Sequence, residues 1–200
     1  MTSDFPGGIV LPLSGTKWGE VGLCGMFLGT FQLKLDDKSR LSIPVRYREV
    51  LQQKFQPGLQ PNEPDLILCS IGPRISAYPW AVWERMADAL DEANALPGLH
   101  QEARDLDYVL SGNAAEGAID LQGRVLIPPH LRARAKLHNE VTIIGLRRYF
   151  EIWDRATWEE YEANCLQGRE EEVAQKVAEL RGARMLSRQT LFGDGPRSRL

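Results

Sequence analysis

One stretch of this chain occurs twice, and that repeat constrains the fold more than any other feature. Residues 35–44 read Leu-Asp-Asp-Lys-Ser-Arg-Leu-Ser-Ile-Pro, and residues 119–128 read Ile-Asp-Leu-Gln-Gly-Arg-Val-Leu-Ile-Pro. Asp36, Arg40, Ile43 and Pro44 match Asp120, Arg124, Ile127 and Pro128 at a shift of 84, and an arginine follows each proline by four residues, Arg48 and Arg132. A second match, 78–84 with 153–159, has a shift of 75 and aligns Trp83 with Trp158. The difference between the two shifts falls on 56–64, a Gln-, Pro- and Asn-rich stretch that reads as an inserted surface loop.

Each copy predicts the same order of elements. Phe27 to Leu35 alternates apolar and polar residues, as a half-buried strand does. The Asp-x-x-(Ser/Gly)-Arg stretch is a turn: the Asp side chain caps it, and Gly123 suits a positive φ. A short strand follows, Arg40 to Ile43 in the first copy. Proline then opens a helix at its first position, where its missing N–H costs nothing, giving helices over 44–54 and 128–137. Two hairpins come next, 65–71 with 74–78 and 140–145 with 148–152, turning at Gly72-Pro73 and Leu146-Arg147. Tyr149 and Phe150 read as sheet residues. Amphipathic helices beginning near Pro79 and Asp154 carry Trp83 and Trp158, which read as core or interface anchors rather than stacking platforms.

The expected class is therefore α+β, with a first repeat over 26–95, a connecting helix over 96–112 and a second repeat over 113–166. Residues 1–25 match neither copy and are rich in Gly and Pro; they are expected to be a disordered leader, or to precede the true start at Met26. Residues 167–200 are expected to form a charged helix, through about Leu186, and a frayed basic tail.

A net charge of −3 and a pI near 5.7 argue, taken alone, against nucleic acid. The average hides a pattern. Residues 36–54 carry a net +2, 120–138 a net +3 and 173–200 a net +4, whereas 80–108 and 154–172 each carry −5. The three cysteines, Cys24, Cys69 and Cys165, are far apart and in no metal spacing, so free thiols in a reducing cytoplasm are expected. No stretch approaches the ~20 apolar residues of a membrane helix, and no signal peptide is expected. His100, His130 and His138 stand in no metal spacing, and the Gly-rich phosphate loops and Gly-x-Ser-x-Gly are absent from the sequence. Asp36 and Asp37 are adjacent, but Leu121 stands where a matching second carboxylate would be, so no shared acid–base pair is supported. The expectation is a chain that is not an enzyme and uses no metal or cofactor.

Two Asp-x-x-x-Arg turns, each followed by a short strand and Ile-Pro, one per half of the chain, resemble the MraZ family over about 26–166. The resemblance implies two tandem AbrB/SpoVT-like swapped-hairpin β-barrel units with peripheral helices. It also implies a cytoplasmic, nucleoid-associated regulator that forms a ring-like homo-oligomer. Such a regulator binds closely spaced G-rich direct repeats in double-stranded DNA upstream of its own gene and represses that division and cell-wall cluster. Asp36, Arg40, Asp120 and Arg124 carry the motif. Arg40 and Arg124 are the candidate DNA contacts, since a guanidinium fork can meet a guanine edge or a phosphate in two bonds; the alternative reading is structural, an Asp turn cap bridged to Arg to hold the hairpin. Asp36, Asp120 and Gly123 are the candidate turn organisers, each Asp holding its arginine in one rotamer. Lys38, Arg46, Arg48, Arg132 and Arg134 are candidate phosphate contacts, each equally readable as a solvated charge; Arg147 and Arg148 are weaker. Ser39 stands where the resemblance implies glycine: if that site takes a positive φ, serine is strained there, and the alternative is a differently shaped turn one. The competing class is an oligomeric protein–protein scaffold or toxin-binding partner that dimerises through the hairpin and docks through its acidic helices. An exposed basic face around the turns favours DNA; acidic helices covering that face favour the scaffold.

Overall fold

The computed structural model describes residues 25–58, 63–96, 100–166, 168–169 and 172–179. The leader before Gly25, the centre of the insertion, Pro97-Gly98 and the tail from residue 180 lie outside the described residues. The first copy supplies β1 (Thr30–Lys34), β2 (Arg40–Ser42), α1 (Val45–Val50), β3 (Leu66–Ser70), β4 (Arg74–Pro79) and α2 (Trp80–Ala95). After α3 (His100–Leu110) the second supplies β5 (Ala115–Gly117), β6 (Arg124–Leu126), α4 (Pro129–Ala135), β7 (Glu140–Gly145), β8 (Phe150–Asp154) and α5 (Arg155–Tyr161). A further helix spans 172–179.

Several boundaries differ from the sequence reading. The first strand is shorter than Phe27–Leu35, and these two end residues make isolated bridges to Arg147 and Leu41. The first helix breaks its α pattern at Leu51 and continues as a π-helical turn through Phe55. That turn aims both Leu51 and Phe55 into the core. The last strand runs Phe150–Asp154 rather than 148–152. Phe150 is in the strand, whereas Tyr149 precedes it and stacks on Tyr78 with ring centroids 4.7 Å apart.

Strands from both copies interleave in one six-stranded antiparallel sheet of order β1-β7-β8-β4-β3-β5. The outermost strand of each copy is a strand that pairs with the other copy: β1 with β7, and β5 with β3. The two registers are images of each other, because Leu33↔Val141 maps onto Gly117↔Leu66 through the sequence repeat. At the sheet centre Ser76 faces Glu151, its own repeat equivalent. In a separate two-stranded ribbon, β2·β6, Leu41 faces Val125, again its own equivalent. A local two-fold therefore relates the copies and passes through both pairings.

Side-chain alternation assigns the layers. Leu66, Leu68, Ile75, Ala77, Val141, Ile143, Phe150 and Ile152 share one sheet face and pack against Leu41 and Val125 of the ribbon, Tyr47 of α1 and Leu131 of α4. Burying each of the Val, Leu, Ile and Phe side chains among them contributes roughly 1.5–3 kcal/mol. Cys69 and Tyr78 point to the opposite face, where α2 and α3 cover them through Trp83, Met86, Leu90 and Leu110. There too Trp153 meets Trp158 of α5 at 5.4 Å. Trp83 and Trp158 are half-buried helix anchors against the sheet. Asp154 caps α5 by accepting from the Thr157 N–H, and it also accepts from the His138 N–H at 3.0 Å. Burial pushes the Cys69 thiol up to about 12, which leaves it unreactive at neutral pH. Among the described residues, no helix is long and apolar enough to cross a membrane.

Candidate nucleic-acid interface

The ribbon β2·β6 lies on the side of the sheet away from the acidic helices. Its inward residues, Leu41 and Val125, are fully buried. Alternation turns the others outward, with Arg40 beside Leu126 and Ser42 beside Arg124, all at least partly exposed. Each strand is entered through one Asp-x-x-x-Arg turn, so the two-fold brings both turns to the same ribbon.

The turns are built alike. The Asp36 carboxylate accepts the Lys38 and Arg40 N–H groups, both at 2.9 Å, and Asp120 accepts those of Gln122 and Arg124 at 2.9 and 3.0 Å. Arg40 Nε then donates to Asp36 Oδ2 at 2.7 Å, and Arg124 Nε to Asp120 Oδ2 at 2.9 Å. The pairs are cross-linked: Arg40 Nη1 is 4.0 Å from Asp120, and Arg124 Nη1 is 3.8 Å from Asp36. Sequence reasoning paired each Asp with its own Arg; the ring of four charges across the local two-fold was not visible without the ribbon register.

Turn one is not shaped differently from turn two. Ser39 has φ +61° and Gly123 φ +77°, and each donates its N–H to the Asp carbonyl at 2.8 Å. A left-handed serine costs roughly 1–2 kcal/mol. The Asp36 carboxylate bonds hold the turn in that conformation, and Ser39 Oγ accepts a hydrogen bond from Arg132 Nη1.

Arg48 and Arg132, proposed from sequence as phosphate contacts, each reach across the two-fold to the other copy's turn. Arg132 bonds Ser39, while the Arg48 guanidinium lies over Gly123, where a Cβ would come within 2.5 Å of Arg48 Cδ. Gly123 leaves room for this close approach as well as taking its positive φ. Both arginines are half-buried, each Nε is buried without a hydrogen-bond partner, and neither has a carboxylate partner among the described residues. Lys38, at the exposed end of turn one, has no carboxylate partner there either. Arg46 and Arg134 are exposed on α1 and α4, and Arg147 and Arg148 lie apart in the β7–β8 turn. The four-charge ring is neutral, and the uncompensated charge around it is positive. Sequence reasoning missed Gln122, whose Oε1 accepts from Arg124 Nη2. Its only signal was its place two residues before the arginine. Leu121, at the tip of turn two, was read only as the residue that breaks a carboxylate pair.

The arginine bonds hold the Asp36 carboxyl down at about 2, and the same contacts lower Asp120. A carboxylate lowered on folding stabilises the fold above its unfolded value and loses that contribution as pH falls through the folded value. Acid unfolding should therefore gain an extra loss of stability between about pH 4 and about pH 2. The double variant Asp36→Asn with Asp120→Asn, followed by circular dichroism, should be less stable at neutral pH and should lose less stability than wild type across that window, Glu140 and Asp154 keeping their own contributions. An unchanged acid profile would show that the ring adds nothing to folding.

These features define a protein made of two interleaved copies of one β-ribbon unit, presenting paired Asp-x-x-x-Arg turns. Comparison with known families places it further: the model described as "MraZ protein, putative antitoxin-like" matches residues 26–107 and 110–180. Among curated relatives, the chain is 36% identical over 156 residues to the "Transcriptional regulator MraZ" of Roseiflexus sp. (strain RS-1), covering 78% of this chain and 99% of that protein. The protein of that name from Carboxydothermus hydrogenoformans is 34% identical over 154 residues, 77% of this chain and 98% of the relative. That of Pseudoalteromonas translucida is 35% identical over 136 residues, 66% and 82% respectively. The chain belongs to the MraZ family.

Proposed function

We propose that this protein is a transcriptional regulator that binds double-stranded DNA through the β2·β6 ribbon. The observation that carries the reading is the ribbon's outer face, where Arg40 and Arg124 emerge from two turns joined across one two-fold. A two-stranded antiparallel ribbon fits the major groove, which is about 12 Å wide. Each guanidinium is held by its Asp in a fixed rotamer, so little freedom is lost when it meets a guanine edge. Arg48, Arg132 and Lys38 add unpaired positive charge beside the ribbon, suited to phosphates. The acidic stretches sit on α2, α3 and α5, which pack on the far face of the sheet. That placement supports DNA over an acid-covered scaffold.

The finer reading follows the relatives' name, "Transcriptional regulator MraZ". Each half is an AbrB/SpoVT-like hairpin unit, and the crossing of β1 to β7 and β5 to β3 supports a swapped-hairpin pair within one chain. One bidentate base contact discriminates by only ~1–3 kcal/mol. A ring of subunits on closely spaced G-rich direct repeats multiplies that through effective concentration. The targets are repeats in the protein's own promoter, ahead of a division and cell-wall gene cluster that it represses in the cytoplasm at the nucleoid. A second reading has one observation in its favour: both arginines are already satisfied by carboxylates, as a purely structural clamp between the copies would be.

The test is fluorescence anisotropy on the duplex upstream of the protein's own gene and on a scrambled duplex, at two salt concentrations. Preference for the native duplex, weakening with salt, is expected. Equal binding to both would reduce the reading to a charge effect, and no binding at either salt would favour the scaffold. A monomer by light scattering would remove the ring.

A further inference from the structure

Although the ribbon is symmetric in backbone, its two turns differ in chemistry. Turn one is tipped by Asp37 and Lys38, both exposed. Turn two is tipped by Leu121 and Gln122. The Leu121 side chain is fully open to solvent at 105% relative exposure, and Gln122 fastens Arg124. Leu126, on the same outer ribbon face, is 53% exposed. The second turn thus combines a doubly held arginine with an apolar tip and has no carboxylate at its apex. The first turn presents an exposed Asp37 at the equivalent place, where phosphates would repel it.

Resting on the DNA reading above, we infer that turn two leads into the major groove and that Leu121 reads the methyl group of a thymine beside the base contacted by Arg124. The C5-methyl of thymine is the apolar feature of the major-groove edge, and aliphatic side chains recognise it by contact. Leu121 stands at the tip of the turn that leads into β6, with its side chain fully exposed. Turn one, tipped by Asp37, stays off the bases and contributes Arg40 from the ribbon alone.

The experiment compares wild type and Leu121→Ala on the native upstream duplex and on the same duplex with deoxyuridine replacing thymidine, which removes only the methyl groups. One buried methyl corresponds to roughly a fourfold change in affinity. Wild type is expected to bind the deoxyuridine duplex roughly fourfold more weakly, while Leu121→Ala shows a similar loss on the native duplex and no further loss on the modified one. Circular dichroism and light scattering run alongside. Equal wild-type affinity for the two duplexes overturns the inference, as does a Leu121→Ala variant that changes subunit number with DNA affinity unchanged, which would assign Leu121 to a second copy. If wild type does not distinguish the native from a scrambled duplex, the DNA reading itself fails, and this inference with it.

Discussion

Replacing Arg40 and Arg124 together by lysine should abolish the preference for the native duplex while leaving salt-dependent binding to any duplex in place. Lysine keeps the positive charge opposite Asp36 and Asp120 but lacks the planar fork that makes two bonds to one guanine. Two bidentate contacts at ~1–3 kcal/mol each are removed. The ratio of affinities for native and scrambled duplexes should therefore fall by at least about thirtyfold. Alanine at both positions is the harsher variant. It leaves Asp36 and Asp120 without their arginines, turns a neutral ring into a pair of carboxylates and should weaken binding to both duplexes. Comparing the variants separates recognition from charge, and a thermal melt of each separates both from folding. Retention of the wild-type ratio by the lysine pair would make the four-charge ring a clamp between the copies and nothing more.

Much of the candidate site was legible in the sequence because the turn is a local structure. Asp36 bonds residues two and four positions ahead, so its pattern is visible in five letters, and its recurrence at Asp120 marks the second turn. What the repeat could not supply was the partner. Two equivalent strands can pair within a copy, between copies or between molecules, and the letters are the same in each case. The register Leu41↔Val125 decides it, and from it follow both the cross-linked ion pairs and the reach of Arg48 and Arg132 to the opposite turns. At Ser39 the letters leave open whether serine takes the positive φ or the turn changes shape; the structure has the positive φ, held by the Asp36 carboxylate and by Arg132, a residue from the other half of the chain. The π-helical turn at Leu51–Phe55 was equally hidden, since it is set by where Phe55 must meet Phe27, at 5.8 Å, and not by local propensity.

Gly145→Ala should be the most damaging small substitution in the described fold, costing about 3 kcal/mol. Gly145 ends β7 where three segments converge. Its N–H donates to the Gly29 carbonyl at 2.9 Å, the same carbonyl that accepts from the Tyr47 hydroxyl at 3.1 Å. A Cβ there would lie 2.3 Å from the Tyr47 Oη, 2.5 Å from the Phe27 carbonyl carbon and 2.6 Å from the Leu28 nitrogen. The last two are backbone atoms, held by the Phe27–Arg147 bridge, whose two hydrogen bonds are 3.0 and 2.8 Å, and by the fully buried Phe27 ring. Rotating a side chain away cannot relieve that overlap, so the Phe27–Gly29 segment must leave β7. The repeat equivalent of Gly145 is Ser70, which occupies the matching register opposite Ile75 and carries a buried side chain there. There the chain preceding the short strand β5 is a 3₁₀ turn, Ser111–Asn113, rather than an extended segment bridged to the hairpin. The glycine at 145 thus follows from how the first copy enters the sheet, which the repeat alone does not reveal. A drop in Tm of roughly 6–12 °C is expected for Gly145→Ala by calorimetry or circular dichroism. Gly112→Ala, where a Cβ meets nothing within 4 Å, should shift Tm by no more than about 2 °C. Equal melting of the two variants would mean that the Phe27–Gly29 segment can leave β7 at no cost, and that the first copy is not anchored to the second through it.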